Sequence, residues 1–177
     1  MFRFDVEKAR MGFGASLLTI LVGLATAHAA SPSAEGTPEG STMATHASGS
    51  FDVTMTPQGP EDKAEGSTVG RNSIDKRFFG DLEATSRGQA LMGVSDVQGS
   101  AGYVAMERVT GTLKGRRGSF LLQHSGTMSK SGGYQLSVTV VPDSGSGQLV
   151  GLSGKLDIKI VDGKHFYNFE YTLPESR

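Results

Sequence analysis

Ser100-Ala-Gly-Tyr-Val-Ala-Met-Glu-Arg-Val-Thr-Gly-Thr-Leu113 reads as one extended run. Tyr103, Ala105, Glu107 and Val109 fall on one side of it, and Val104, Met106 and Arg108 on the other. That is the period-2 alternation of a β-strand with two unlike faces. The same pattern recurs on both sides. Upstream, Gly49 to Thr56 sets Phe51, Val53 and Met55 against Asp52, Thr54 and Thr56, and Asn72 to Phe79 forms a second strand. Leu82 to Gly93 follows, with Ser86-Arg87-Gly88-Gln89 expected as a bulge or a short hairpin tip. Downstream, strands are expected over Ser119 to Met128, Tyr134 to Val141, the alternating Leu156, Ile158 and Ile160, and Lys164 to Leu173.

Glycine, proline and aspartate punctuate these runs. Pro57 and Pro60 take the chain out of the first ladder, because proline donates no hydrogen bond. Gly80-Asp81, Pro142 to Gly147 and Asp162-Gly163 are turn or loop signals. Consecutive strands with hairpin-length connections and no helical periodicity predict an all-β fold, a single antiparallel β-barrel of about eight strands, lipocalin-like in shape. Closure removes the exposed edges that an open sheet this rich in glycine would carry. The glycines read as mid-strand, Gly102, Gly111, Gly126 and Gly151, suit strands that coil tightly.

The ends differ in character from this core. Residues 1–29 combine a short charged start, an apolar stretch from Gly12 to Ala25 and the small residues of Ala27-His28-Ala29, the pattern of a signal peptide. Export to the periplasm or outside the cell follows if that segment is native, whereas a chain starting at Met43 would be cytoplasmic. The apolar stretch is too short for a stable membrane span in the mature form. Residues 30–45 are polar and small and are expected to be a disordered linker. The barrel domain is placed at 46–174.

Composition excludes several chemistries. The chain has no cysteine, so thiolate catalysis and cysteine metal sites are out. His46, His124 and His165 are too widely spaced to match a zinc template, and no cofactor is expected. A net charge of −1, with no basic cluster beyond Lys114, Arg116 and Arg117, argues against nucleic acid. Phosphate-cradling loops and a Gly-x-Ser-x-Gly elbow do not occur.

Two titratable residues share faces with apolar neighbours. Glu107 is either buried with a partner or on the wet face of a strand whose Met106 points inward, and phase alone leaves both open. His124 shares a side with Phe120 and Leu122, as a hydrogen-bonded core residue or as a general base. Counting outward from a turn centred on Gly115 sets Glu107 near Gln123 or His124, so the two could form a proton-transfer pair. A slip of one residue would send them to opposite faces. Tyr167, Phe169 and Tyr171 form an aromatic stripe, read most simply as core, and His165 is expected in solvent.

Five blocks in order carry a resemblance: His46-Ala-Ser-Gly-Ser-Phe51, Gly80-Asp-Leu-Glu-Ala-Thr-Ser86, Gly102-Tyr-Val-Ala-Met-Glu107-Arg-Val-Thr-Gly111, Gly118-Ser-Phe-Leu-Leu-Gln-His124 and Val140-Val-Pro-Asp-Ser-Gly-Ser-Gly147. With Phe169-Glu-Tyr171 they resemble the bacterial, uncharacterised DUF3224 family over roughly Met43 to Leu173. The resemblance implies a barrel similar in shape to allene oxide cyclase, with a cavity for a small apolar molecule, and it supplies no function. Three readings follow. The first is a barrel binding a small, largely apolar molecule, with Tyr103, Glu107, His124, Tyr134 and Phe169 as wall residues. The second is a cofactor-free isomerase or cyclase using Glu107 or His124, and the third a structural or assembly barrel with a filled core. A homodimer formed through one side of the barrel is the expected assembly.

Overall fold

The computed structural model describes residues 44–174. The expected signal peptide, Met43 and nearly all of the linker lie outside them. Among the described residues nine strands form: β1 (Thr45–Pro57), β2 (Asp62–Ala64), β3 (Ser67–Gly80), β4 (Leu82–Ser95), β5 (Ala101–Leu113), β6 (Arg116–Met128), β7 (Tyr134–Val140), β8 (Ser153–Val161) and β9 (Lys164–Thr172). Each pairs antiparallel with its neighbour in sequence, except that β1 pairs with both β3 and β9 and so closes the sheet into an eight-stranded barrel. β2 is the extra strand, a short ribbon on β3. It is legible only in structure, because Asp62-Lys63-Ala64 is wholly exposed and has no apolar phase.

Three local expectations are corrected. Ser86 to Gln89 holds neither a bulge nor a hairpin tip, since β4 runs in unbroken register from Phe78↔Ala84 to Ser67↔Ser95 against β3. The β5–β6 turn is the two-residue Lys114-Gly115, both at positive φ (45° and 82°), as a hairpin turn matched to strand twist requires. β6 therefore begins at Arg116, and the register sets Glu107 opposite Leu122 and Ala105 opposite His124. Gly151 lies in the β7–β8 connection rather than within a strand.

The barrel has a closed end and an open end. The turns after β3 and β5 and the long β7–β8 connection gather at the closed end, together with both ends of the described chain. A 3₁₀ turn (Gly147–Leu149) in that connection inserts Leu149, and Leu152 follows it, each 1% exposed. Beyond Val140, where β7 ends, the connection continues in its place alongside β6. Ser146 and Ser144 hydroxyls accept from the Ser119 and Leu121 amides, and the Gln148 carbonyl accepts from Arg117. Buried Phe78, Leu82, Val109, Leu113, Phe120, Leu122 and Phe169 fill the interior above this plug. Phe120 and Phe169 stack at 5.9 Å. Tyr167 clips the wall, accepting from the Leu82 amide and donating to the Phe79 carbonyl.

Toward the open end, the inward side chains shrink or stay half-exposed. Ile74, Ala90 and Ala105 form a small second cluster, with Val53, Met92 and Tyr103 partly buried around it. Here the wall is also least complete: Thr139↔Lys155 is the one register pair joining β7 to β8. Leu136 and Ile158 flank that seam, partly buried.

Candidate functional site

A charged cluster sits between the filled half and the open half. Glu107, on β5, points inward with Ala105 and Val109 and is 1% exposed. Its Oε1 accepts from Lys76 Nζ at 2.8 Å and bonds His124 Nε2 at 2.9 Å, while Oε2 accepts from the Ser86 hydroxyl at 2.9 Å. Lys76 is on β3, Ser86 on β4 and His124 on β6, so four adjacent strands converge on one carboxylate.

The backbone makes that convergence possible at Gly88. Gly88 stands between Ile74 of β3 and Glu107 of β5, and a Cβ there would meet the Met106 carbonyl and lie 2.5 Å from Glu107 Cβ. With no side chain at 88, the Glu107 carboxylate crosses β4 to reach Lys76. The two-residue hairpin does the rest. It sets Glu107 and His124 diagonally on the same face, the paired outcome of the two that the sequence left open.

Burial by itself would raise the Glu107 carboxyl. The His124 hydrogen bond and the Lys76 charge outweigh it and hold the group at about 2, below its ordinary 4.5. Lys76 also lies over the rings of Phe51 (5.1 Å) and Phe78 (5.8 Å). Tyr103 is pushed up to about 12 by burial, then by the nearby Tyr134 phenol and Glu107 carboxylate. His165 is lowered, first by burial and then by the Lys76 charge, against an opposing pull from Asp52.

Of the residues singled out from sequence, Glu107 and His124 are in this cluster and Tyr103 stands toward the open end from them, its ring over Gly126. Phe169 is within the filled core between Phe120 and Tyr171, and Tyr134 is 57% exposed at the start of β7. His165, expected in solvent, is instead half-buried with its ring 5.0 Å from Phe51. Sequence reading missed Lys76 and Ser86. A signal existed: Ile74, Lys76 and Phe78 share one phase, as do Ala84, Ser86 and Ala90, so each polar residue interrupts an apolar side.

Two concavities lie on the outer wall. A 590 Å³ groove lies over β3 to β7, flanked by Val69, Leu91 and Val104, and a 480 Å³ groove lies beside Asp75, Arg77, Arg87 and Arg108. Among the described residues no group of three His, Cys, Asp or Glu side chains is placed to hold a metal ion. No helix among them is long and apolar enough to cross a membrane.

The family model DUF3224, described as a protein of unknown function, matches residues 47–171. A solved structure of a DUF3224 protein from Shewanella oneidensis MR-1, likewise described as of unknown function, is 45% identical. The match has a TM-score of 0.70 and covers 75% of this chain and 99% of that one. No curated protein matches. The family match and the 45% identity together establish that this chain belongs to the DUF3224 family.

Proposed function

We propose that the barrel binds a small, largely apolar molecule in its open half, above the Glu107 cluster. One observation carries this reading: the large inward-facing side chains of the closed half are buried, whereas several of those in the open half keep partial exposure around the small buried cluster of Ile74, Ala90 and Ala105. Val53, Met92, Tyr103, Leu136 and Ile158 all lie on the inward phase and keep solvent contact. Apolar surface on the concave side of a barrel, with few polar groups at its floor, is the usual make-up of a ligand site. The floor supports the reading too. A buried ion pair is typically no more stabilising than apolar residues of the same volume, so the Lys76–Glu107 pair adds polarity where packing alone did not need it.

Native mass spectrometry of protein purified gently from its host tests this directly. A small-molecule adduct that is lost on denaturation is the expected result. A bare mass, also after incubation with host lipid and metabolite extract, would leave the filled structural barrel as the better account. The polypeptide mass in the same spectrum reports a start at Met1, Ala30 or Met43, and hence export or cytoplasmic residence. The native charge-state series reports whether the chain is a homodimer.

Catalysis by a cofactor-free isomerase or cyclase is the second reading, favoured by the 2.9 Å contact between His124 Nε2 and Glu107 Oε1. A carboxylate held near 2 and already accepting three hydrogen bonds is a poor base. Glu107 then positions the imidazole and His124 moves the proton. With the adduct identified, His124→Asn should abolish its turnover while its affinity is kept; loss of both together would reduce His124 to a binding role.

A further inference from the structure

We infer that the molecule held in the open half ends in an anionic oxygen group, a carboxylate or an enolate, and that Lys76 receives it; this rests on the binding reading above. The argument is an inventory of donors and acceptors. Lys76 brings three N–H donors, Ser86 one hydroxyl and His124 at least one ring donor or acceptor, and the cluster's only carboxylate is Glu107. Both Glu107 oxygens are already engaged, Oε1 twice and Oε2 once. The acceptor capacity left in the cluster is neutral or already paired, a second site on Oε2 and the Ser86 hydroxyl oxygen, whereas the unused donors belong to a cation.

Lys76 is the group with capacity left. Among the described residues its Nζ has one hydrogen-bond partner, Glu107, although its side chain is only 7% exposed. The rest of its surroundings are the faces of Phe51 and Phe78. Ring centroids at 5.1 and 5.8 Å lie toward the far limit for cation–π attraction, about 6 Å, and a ring face does not replace a directed acceptor. Phe51 also connects Lys76 to the rim, since its other neighbour is half-buried His165 at 5.0 Å. An oxygen anion reaching Lys76 from the open half would take up the unused N–H groups, and its apolar body would extend toward Val53 and Met92.

The test uses an isosteric pair of fluorescent probes on the full chain at pH 7: 1-naphthylacetate and its neutral amide, 1-naphthylacetamide. The acid should bind at least about tenfold more tightly than the amide, the scale of one charge-assisted hydrogen bond. Because Lys76→Met alone would strand a buried carboxylate, the variant to compare is Lys76→Met/Glu107→Gln, which removes both charges together. In it the preference should fall to about onefold while amide affinity stays within about twofold. Equal binding of acid and amide by the native protein, or a preference that survives in the double variant, overturns the anion assignment and leaves the binding barrel standing. Binding of neither probe by the native protein overturns both.

Discussion

The same eight strands build both halves of this barrel, and the halves differ because of the size of what points inward. At the closed end the inward positions hold Phe78, Leu82, Leu113, Phe120 and Phe169, with Leu149 and Leu152 as a plug. At the open end the small residues Ala90, Ala105 and Gly126 stand among Ile74, Met92 and Tyr103, the last with its ring over Gly126. Strand phase is identical in the two regions, so alternation locates the inside without saying whether the inside is full. Side-chain volume decides that, and it divides the barrel into a part that stabilises and a part free to do something else.

The sharpest way to break this comparison is truncation in each half. Phe169→Ala removes a ring with 0% exposure, stacked on Phe120 and beside Tyr171, and should cost about 3–5 kcal/mol in urea unfolding. Met92→Ala, at a half-exposed inward position, should cost about 1 kcal/mol or less. Equal losses would mean that the open half is as tightly packed as the closed one.

A second effect belongs to the boundary between the halves. Glu107→Gln leaves Lys76 buried without its counter-charge and should cost about 3 kcal/mol at pH 7. It should also change how stability depends on acid. Glu107 titrates at about 2 in the folded protein against 4.5 for the ordinary group, so the folded state prefers the ionised form. The stabilisation is complete above about 4.5 and is lost as pH falls toward 2. Unfolding midpoints measured from pH 7 down to 2 should show this loss in the native protein and a flatter profile across the same window in Glu107→Gln. Parallel profiles would show that the carboxylate is not held ionised by its partners.

How far the sequence reveals this division depends on which interaction sets each feature. The barrel was legible because alternation and turn chemistry are local: Val104 to Arg108 show their phase to any reader, and Asp162-Gly163 marks its own hairpin, with φ of 49° and 75°. Glu107 and His124 were legible as candidates because each interrupts an apolar side. Their meeting was legible only as one of two alternatives, because it depends on a turn of two residues rather than a longer one, and a difference of one residue decides the face. Lys76 and Ser86 reach Glu107 from β3 and β4, a contact across three strands that no local pattern encodes. The plug was hidden for a similar reason. Leu149 and Leu152 sit in a stretch dominated by glycine and serine, which reads as surface loop until the barrel beneath it is in place.

Gly88 offers the finest test, because β4 carries its own control. Gly88 points inward and a Cβ there would press on the Met106 carbonyl and on Glu107 Cβ, 2.5 Å away, so β5 must shift to accept Gly88→Ala. Gly93, five residues on in the same strand, has nothing within 4 Å of the equivalent point. The first substitution should cost about 1–3 kcal/mol, the range for forcing atoms into a packed site. The second should stay within about 0.5 kcal/mol, as an unhindered surface change does. Only Gly88→Ala should also move the His124 ring resonances in an NMR spectrum, since it displaces the carboxylate that His124 contacts. If the two alanines behave alike, Glu107 does not pass over an empty position on β4, and the four-strand convergence on its carboxylate needs a different backbone from the one described.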